Sequence, residues 1–167
     1  DTRSTAGSFG LAWPLRRGDP DWPAVVLALS YLGQHRQGHG QLFSELREKR
    51  GLNYGTYAYP EHFRQDGYGS LARVNVPRSA QDMTLWLRPV EPQNAVFATR
   101  AVLFVLERLL TEPIPEEAFE TARGFLIGFT RVGEQTAQRR LGEAIAARLY
   151  GTPDYLASLR AALGKLT

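Results

Sequence analysis

Apolar residues recur at every second position from Phe9 through Leu11 to Trp13, within "STAGSFGLAWPL", and that alternation predicts a strand. The spacing then lengthens. Trp22, Val25, Val26, Leu29 and Leu32 repeat at helical intervals in "GDPDWPAVVLALSYLG". Asp19 or Asp21 is placed to cap this helix, Pro20 and Pro23 suit its first turn, and Gly33 ends it. After the polar connection "GQHRQGHGQ" a second helix is expected, with Leu42, Phe43 and Leu46 on its apolar face and Gly51 as its C-terminal stop. Glu45 and Lys49, four apart, suit an ion pair along it.

The period then returns to two. In "LNYGTYAY" Leu52, Tyr54, Thr56 and Ala58 share one face of a strand, and Asn53, Gly55, Tyr57 and Tyr59 the other. "PEHFRQDGYG" is turn chemistry, and "SLARVNVP" and "DMTLWLRPV" read as two more strands, the latter with Met83, Leu85 and Leu87 on one face. "AVFATRAVLFVLERLL" is apolar nearly all round, which predicts a buried central helix. "TEPIPEEAFE" stops it and starts another, with Pro115 at its first position. Helical pattern runs past Phe129, breaks near Gly133, resumes after Thr136, stops at "YGTP" and restarts after Pro153. A strand, two helices, a group of strands and then helices predict an α+β fold, an antiparallel sheet with helices packed on one face.

Composition narrows the function. A length of 167 residues suits one domain, residues 1–167. No apolar run approaches the roughly 20 residues of a membrane span, so a soluble protein is expected. The 20 basic and 17 acidic residues are interspersed, which argues for a solvated surface and against nucleic-acid binding. Cysteine is absent, which removes disulfides, thiolate zinc sites and cysteine nucleophiles. Arginine outnumbers lysine 18 to 2, a usage in keeping with a GC-rich bacterial genome.

His35 and His39 have the i, i+4 spacing of a helical zinc grip. Gly38 and Gly40 beside them argue against a helix there, and no glutamate stands between them to activate a water. They read as loop residues, and His62 as a turn residue beside Glu61. The glycines of "GHGQ" have no Gly-Lys-Ser/Thr ending, and no G-x-S-x-G elbow occurs. Arg47 and Tyr54 remain. A helix-turn-strand reversal can bring them to one edge, where a guanidinium and a phenol could hold a peptide backbone and stabilise an oxyanion. The bland alternative is a solvated arginine beside a half-buried strand tyrosine.

The stretch "LFSELREKRGLNY" resembles the pitrilysin/insulinase family of zinc metallopeptidases. The likeness extends to "GDPDWPAVVLALSYLG", "IPEEAFETARGFLIG" and "RRLGEAIAARLYG". Members of that family pair two homologous halves around a chamber. One half carries the inverted zinc motif H-x-x-E-H; the other supplies an arginine and a tyrosine that reach across to substrate. This chain has no H-x-x-E-H and resembles the second, C-terminal-type half. The resemblance implies that Arg47 binds substrate carbonyls and that Tyr54 hydrogen-bonds the oxyanion in trans. It implies no metal or cofactor in this chain, zinc in the partner half, and peptide substrate. The chain is expected to be a fragment of a longer peptidase, inactive alone, in the bacterial periplasm or cytoplasm. An open sheet edge would invite a homodimer. Two departures stand out: "HRQGHGQ" is more polar than the family's glycine-serine loop, and residues 60–90 carry a tyrosine- and arginine-rich region. The alternative implied by the family is a degenerate interaction subunit without proteolysis.

Overall fold

A computed structural model describes residues 4–12, 15–34, 37–60 and 82–167 of the protein. Among them three strands, β1 (Thr5–Ala12), β2 (Asn53–Pro60) and β3 (Asp82–Val90), form an antiparallel sheet in the order β1-β3-β2. The expected strand "SLARVNVP" and the turn before it lie outside the described residues, as do Trp13, His35 and His62. Thr5 and Asn53 both stand opposite Val90, so β1 and β2 begin where β3 ends. Alternation sends Ala58, Leu85 and Leu87 into the main core. Gly55 and Tyr57 lie opposite Arg88 and Trp86 and turn to the other face.

The helices are α1 (Trp22–Gly33), α2 (Ala95–Thr111), α3 (Glu116–Val132), α4 (Ala137–Tyr150) and α5 (Tyr155–Leu163). α1 and α2 pack against the sheet, α3 and α5 pack on α1, and α4 packs on α5, an α+β arrangement as the order of elements predicts. Leu29 and Leu32 of α1 join the sheet core with Leu42, Leu46, Ala98, Val102 and Val105. Trp22, Val26 and Leu27 of the same helix join a second core with Leu126 of α3 and Leu156, Leu159 and Leu163 of α5. The buried central helix is therefore α1. The sequence assigns that role to α2, and here the structure corrects it. Only Ala98, Val102 and Val105 of α2 are buried, while Val96, Phe97, Leu103, Phe104 and Leu110 face outward. Apolarity all round a helix does not say how many layers cover it.

Two helix starts also differ from expectation. Asp21 stands at the N-cap position of α1, but its side chain makes no capping hydrogen bond. The Asp19 carboxylate instead accepts the backbone N–H of Arg16 at 2.7 Å, tightening the turn before the helix. Pro20 lies in that turn, and Pro23 occupies the first turn of α1. Pro115 precedes α3 as its cap residue. The expected breaks after α3 and α4 are observed, with side-chain caps from Thr136 and Asp154 starting α4 and α5.

The expected second helix is wound as a π-helical turn, Phe43–Glu48. The Lys49 N–H donates to the Ser44 carbonyl, five residues back, at 3.0 Å. Gly51, at φ +61°, closes the turn. Its N–H donates to the Arg47 carbonyl at 2.8 Å and that of Leu52 to the Leu46 carbonyl at 2.9 Å. The first is the ordinary left-handed glycine closure, and the second spans one residue more than the usual glycine helix stop. Beside this closure, Arg50 Nη1 donates to the Glu45 carbonyl at 2.6 Å and to its carboxylate at 2.7 Å, so a side chain satisfies that carbonyl. Lys49 completes the cluster with a 2.5 Å ion pair to Glu45. Leu42 and Leu46, both fully buried, anchor the turn, each worth about 1.5–3 kcal/mol.

Candidate functional site

β2 begins two residues after Gly51, so Tyr54 lies beside the π-helical turn. The Arg47 guanidinium lies 4.9 Å from the centre of the Phe43 ring and 4.6 Å from that of Tyr54. Two rings thus hold one cation. Such contacts are worth about 0.5–1 kcal/mol each at an exposed site. Arg47 Nη1 also stands 3.5 Å from the Tyr54 carbonyl oxygen, the outer limit of a hydrogen bond. The reversal therefore brings together the two residues singled out in the sequence. The arginine touches the face of the tyrosine ring and its backbone. Tyr54 is 68% exposed.

The pair borders an open groove of about 760 Å³ at the end of the sheet, where Thr5 and Ala6 of β1 meet Tyr57 of β2 and Arg88 of β3. A Cβ on Gly55 would stand 2.8 Å from the Tyr57 ring, so the bare glycine is what lets that ring lie flat along the strand. Arg88, directly opposite Gly55, stacks 4.6 Å above the Trp86 ring. Tyr59 packs between Tyr57 and Trp86, and burial pushes its hydroxyl pKa well above the usual tyrosine range, with Tyr57 raising it further and Arg88 lowering it. The groove thus has two guanidinium groups over an aromatic floor, suited to carbonyl and carboxylate oxygens. Sequence reasoning missed Arg88 and the supporting role of Phe43. The signal for Arg88 was its place in a strand alternating Thr84, Trp86, Arg88, but only the register puts it opposite Gly55.

On the other side of the π-helical turn, two backbones touch. A Cβ on Gly40 would lie 2.5 Å from Gly33 Cα and 3.1 Å from the Leu32 carbonyl oxygen. Gly33 has φ +122°. The end of α1 and the start of the next segment cross here at a separation that only glycine permits. His39 is exposed and meets the edge of Phe125 at 5.7 Å between ring centres. Among the described residues no group of three or more His, Cys, Asp or Glu could hold a metal ion.

The family described as the peptidase M16 inactive domain matches residues 2–126. The chain belongs to that family, the pitrilysin-type metallopeptidases, as one of its non-zinc domains. Among solved structures it is similar to the peptidase M16 inactive domain from Pseudomonas fluorescens, with 23% identity and a TM-score of 0.76, covering 99% of this chain and 36% of that one. It is similar also to the inactive peptidase domain of a candidate zinc protease from Bordetella parapertussis, at 16% identity and TM-score 0.75, covering 100% of this chain and 80% of that one. The periplasmic protease PqqL from Escherichia coli aligns at 14% identity and TM-score 0.62, over 98% of this chain and 16% of that one. These likenesses establish the fold. The chain spans about a third of the Pseudomonas chain and a sixth of PqqL. A search of curated proteins gives no match.

Proposed function

We propose that this chain is the substrate-binding, non-zinc half of a zinc metallopeptidase that hydrolyses peptides in a chamber formed with an H-x-x-E-H half. The observation that carries this reading is the exposed Tyr54 ring held against the Arg47 guanidinium at the edge of an open groove. Arg47 donates to backbone carbonyls of an extended peptide. Tyr54 offers its hydroxyl, in trans, to the oxyanion of the tetrahedral intermediate. Zinc belongs to the companion half, where it supplies the activated water. This chain binds and orients. Residues 1–167 act as one domain of a longer half, the companion being fused or a separate subunit. Among the described residues no helix is long and apolar enough to cross a membrane.

A second reading is a non-proteolytic interaction subunit. The outward apolar residues of α2 and α4, Leu110 and Leu141 among them, favour it. Reconstitution separates the two. The chain is mixed with an H-x-x-E-H half encoded beside it, and cleavage of a quenched peptide is monitored. The peptidase reading expects cleavage in the mixture only, lost when Arg47→Ala and Tyr54→Phe are combined. Cleavage that survives both substitutions supports the interaction subunit. Chelator-sensitive cleavage by the chain alone overturns both.

A further inference from the structure

The outward face of α2 has an internal symmetry. Its residues Val96, Phe97, Leu103, Phe104 and Leu110 are each more than half exposed, and Leu110 is 85% exposed. They flank two exposed charged residues, Arg100 and Glu107, which lie seven apart on the midline of the same face. Neither makes an ion pair among the described residues, whereas the neighbouring Arg108 is held by Glu112 at 2.9 Å. A heptad spacing relates Val96, Leu103 and Leu110, and likewise Phe97, Phe104 and Thr111.

We propose that α2 pairs antiparallel with α2 of a second copy of this chain, about a two-fold axis between Leu103 and Phe104. That axis brings Arg100 level with Glu107 of the partner subunit, and Glu107 level with the partner's Arg100. It sets Phe97 in one layer with Leu110 of the partner subunit, and Leu103 in one layer with the partner's Phe104. Each midline charge meets its opposite, Phe97, Leu103, Phe104 and Leu110 each meet another large apolar residue, and Val96 is level with Thr111 of the partner subunit. An isologous interface requires that self-complementarity, and an unrelated partner would have no cause to produce it. The midline ion pairs fix the antiparallel register, since a parallel pairing would set arginine against arginine. The helix face spans roughly 22 Å at 1.5 Å per residue, so the interface belongs to the small, concentration-dependent class. The inference does not depend on the peptidase reading, because it uses neither Arg47 nor Tyr54.

The test is sedimentation of the chain from about 1 µM to about 1 mM, spanning weak and moderate association. Wild type shows a monomer–dimer equilibrium. Arg100→Glu alone sets carboxylates against carboxylates and raises the dissociation constant by about tenfold or more. Glu107→Arg alone does the same with guanidinium groups. An equimolar mixture of the two variants forms a heterodimer at least as readily as wild type dimerises, since every midline pair is again opposite in sign. Both positions are exposed, and circular dichroism checks that the variants stay folded. A wild type that remains monomeric throughout overturns the proposal and leaves the face to another partner. So does a dimer indifferent to both substitutions, or a pair of variants that do not rescue each other.

Discussion

The Arg47 guanidinium sits between two aromatic rings, and the Tyr54 ring is the one that belongs to the strand. The arginine is thus fixed by the residue it works beside. In the reconstituted peptidase, Tyr54→Phe should keep this stack and lose only the hydroxyl. The expected loss is in kcat, about 100- to 1000-fold if the hydroxyl serves the oxyanion. Arg47→Ala should raise KM as well and free the Tyr54 ring, so the double variant falls short of additive. Arg47→Lys should recover little, since an ammonium lacks the planar fork. Steady-state kinetics, with thermal unfolding of each variant as control, decide the matter; wild-type kcat in Tyr54→Phe would remove the tyrosine from the chemistry.

Gly55→Ala probes the floor of the groove. The added methyl meets the buried Tyr57 ring at 2.8 Å, and the ring must swing into the groove or away from Tyr59. A loss of about 1–3 kcal/mol in urea unfolding is expected from such overpacking. Peptide affinity should fall too. A variant as stable as wild type would mean that the Tyr57 ring has room to move.

Gly40 and Gly38 make a matched pair. Gly40→Ala drives a methyl into the Gly33 backbone, which cannot yield as a side chain does, and should cost about 1–3 kcal/mol or more. Gly38 has nothing within 4 Å of its missing Cβ, so Gly38→Ala should stay within about 0.5 kcal/mol of wild type. Equal effects in denaturant titrations would refute the backbone crossing.

Glu45 gives a pH signature. Its carboxyl pKa is lowered from the ordinary 4.5, first by the hydrogen bond from Lys49 and then by that from Arg50. A carboxylate whose folded pKa lies below its unfolded one contributes stability that is complete above the unfolded pKa. That contribution fades as pH falls through the folded value. Wild type should therefore lose stability below about pH 4.5 more steeply than Glu45→Gln, and the two curves should converge in acid. Unfolding midpoints from pH 7 to pH 3 provide the check; parallel curves would show that the cluster adds nothing.

Much of this fold was legible because burial leaves a period. Trp22 to Leu32, Met83 to Leu87 and the breaks at Gly133 and Gly151 could each be read locally. The misreading of α2 has a definite source: the pattern of a helix records how apolar it is, and the layer count around it depends on elements far along the chain. Arg47 and Tyr54 were legible as a pair through their spacing and the resemblance, but the two-ring clamp was not. It depends on Phe43 and on a π winding that no hydrophobic period announces. Arg88 was hidden for the same kind of reason, since strand register is a non-local property.

The wide loop from Leu52 back to Leu46 that ends the π-helical turn acts as a spacer for β2. Strand faces alternate residue by residue, so the point at which the chain leaves Gly51 decides which side chains of β2 meet the core. Were the turn to relax into an ordinary helix with the closure one residue tighter, β2 would enter the sheet one step out of phase. Ala58 would leave the core, Tyr57 and Tyr59 would be pushed into it, and Tyr54 would exchange sides with Gly55. The grip of Arg50 and Lys49 on Glu45 is thus a phase lock: three charges gathered on a buried carboxylate keep the tyrosine on the side where the arginine waits.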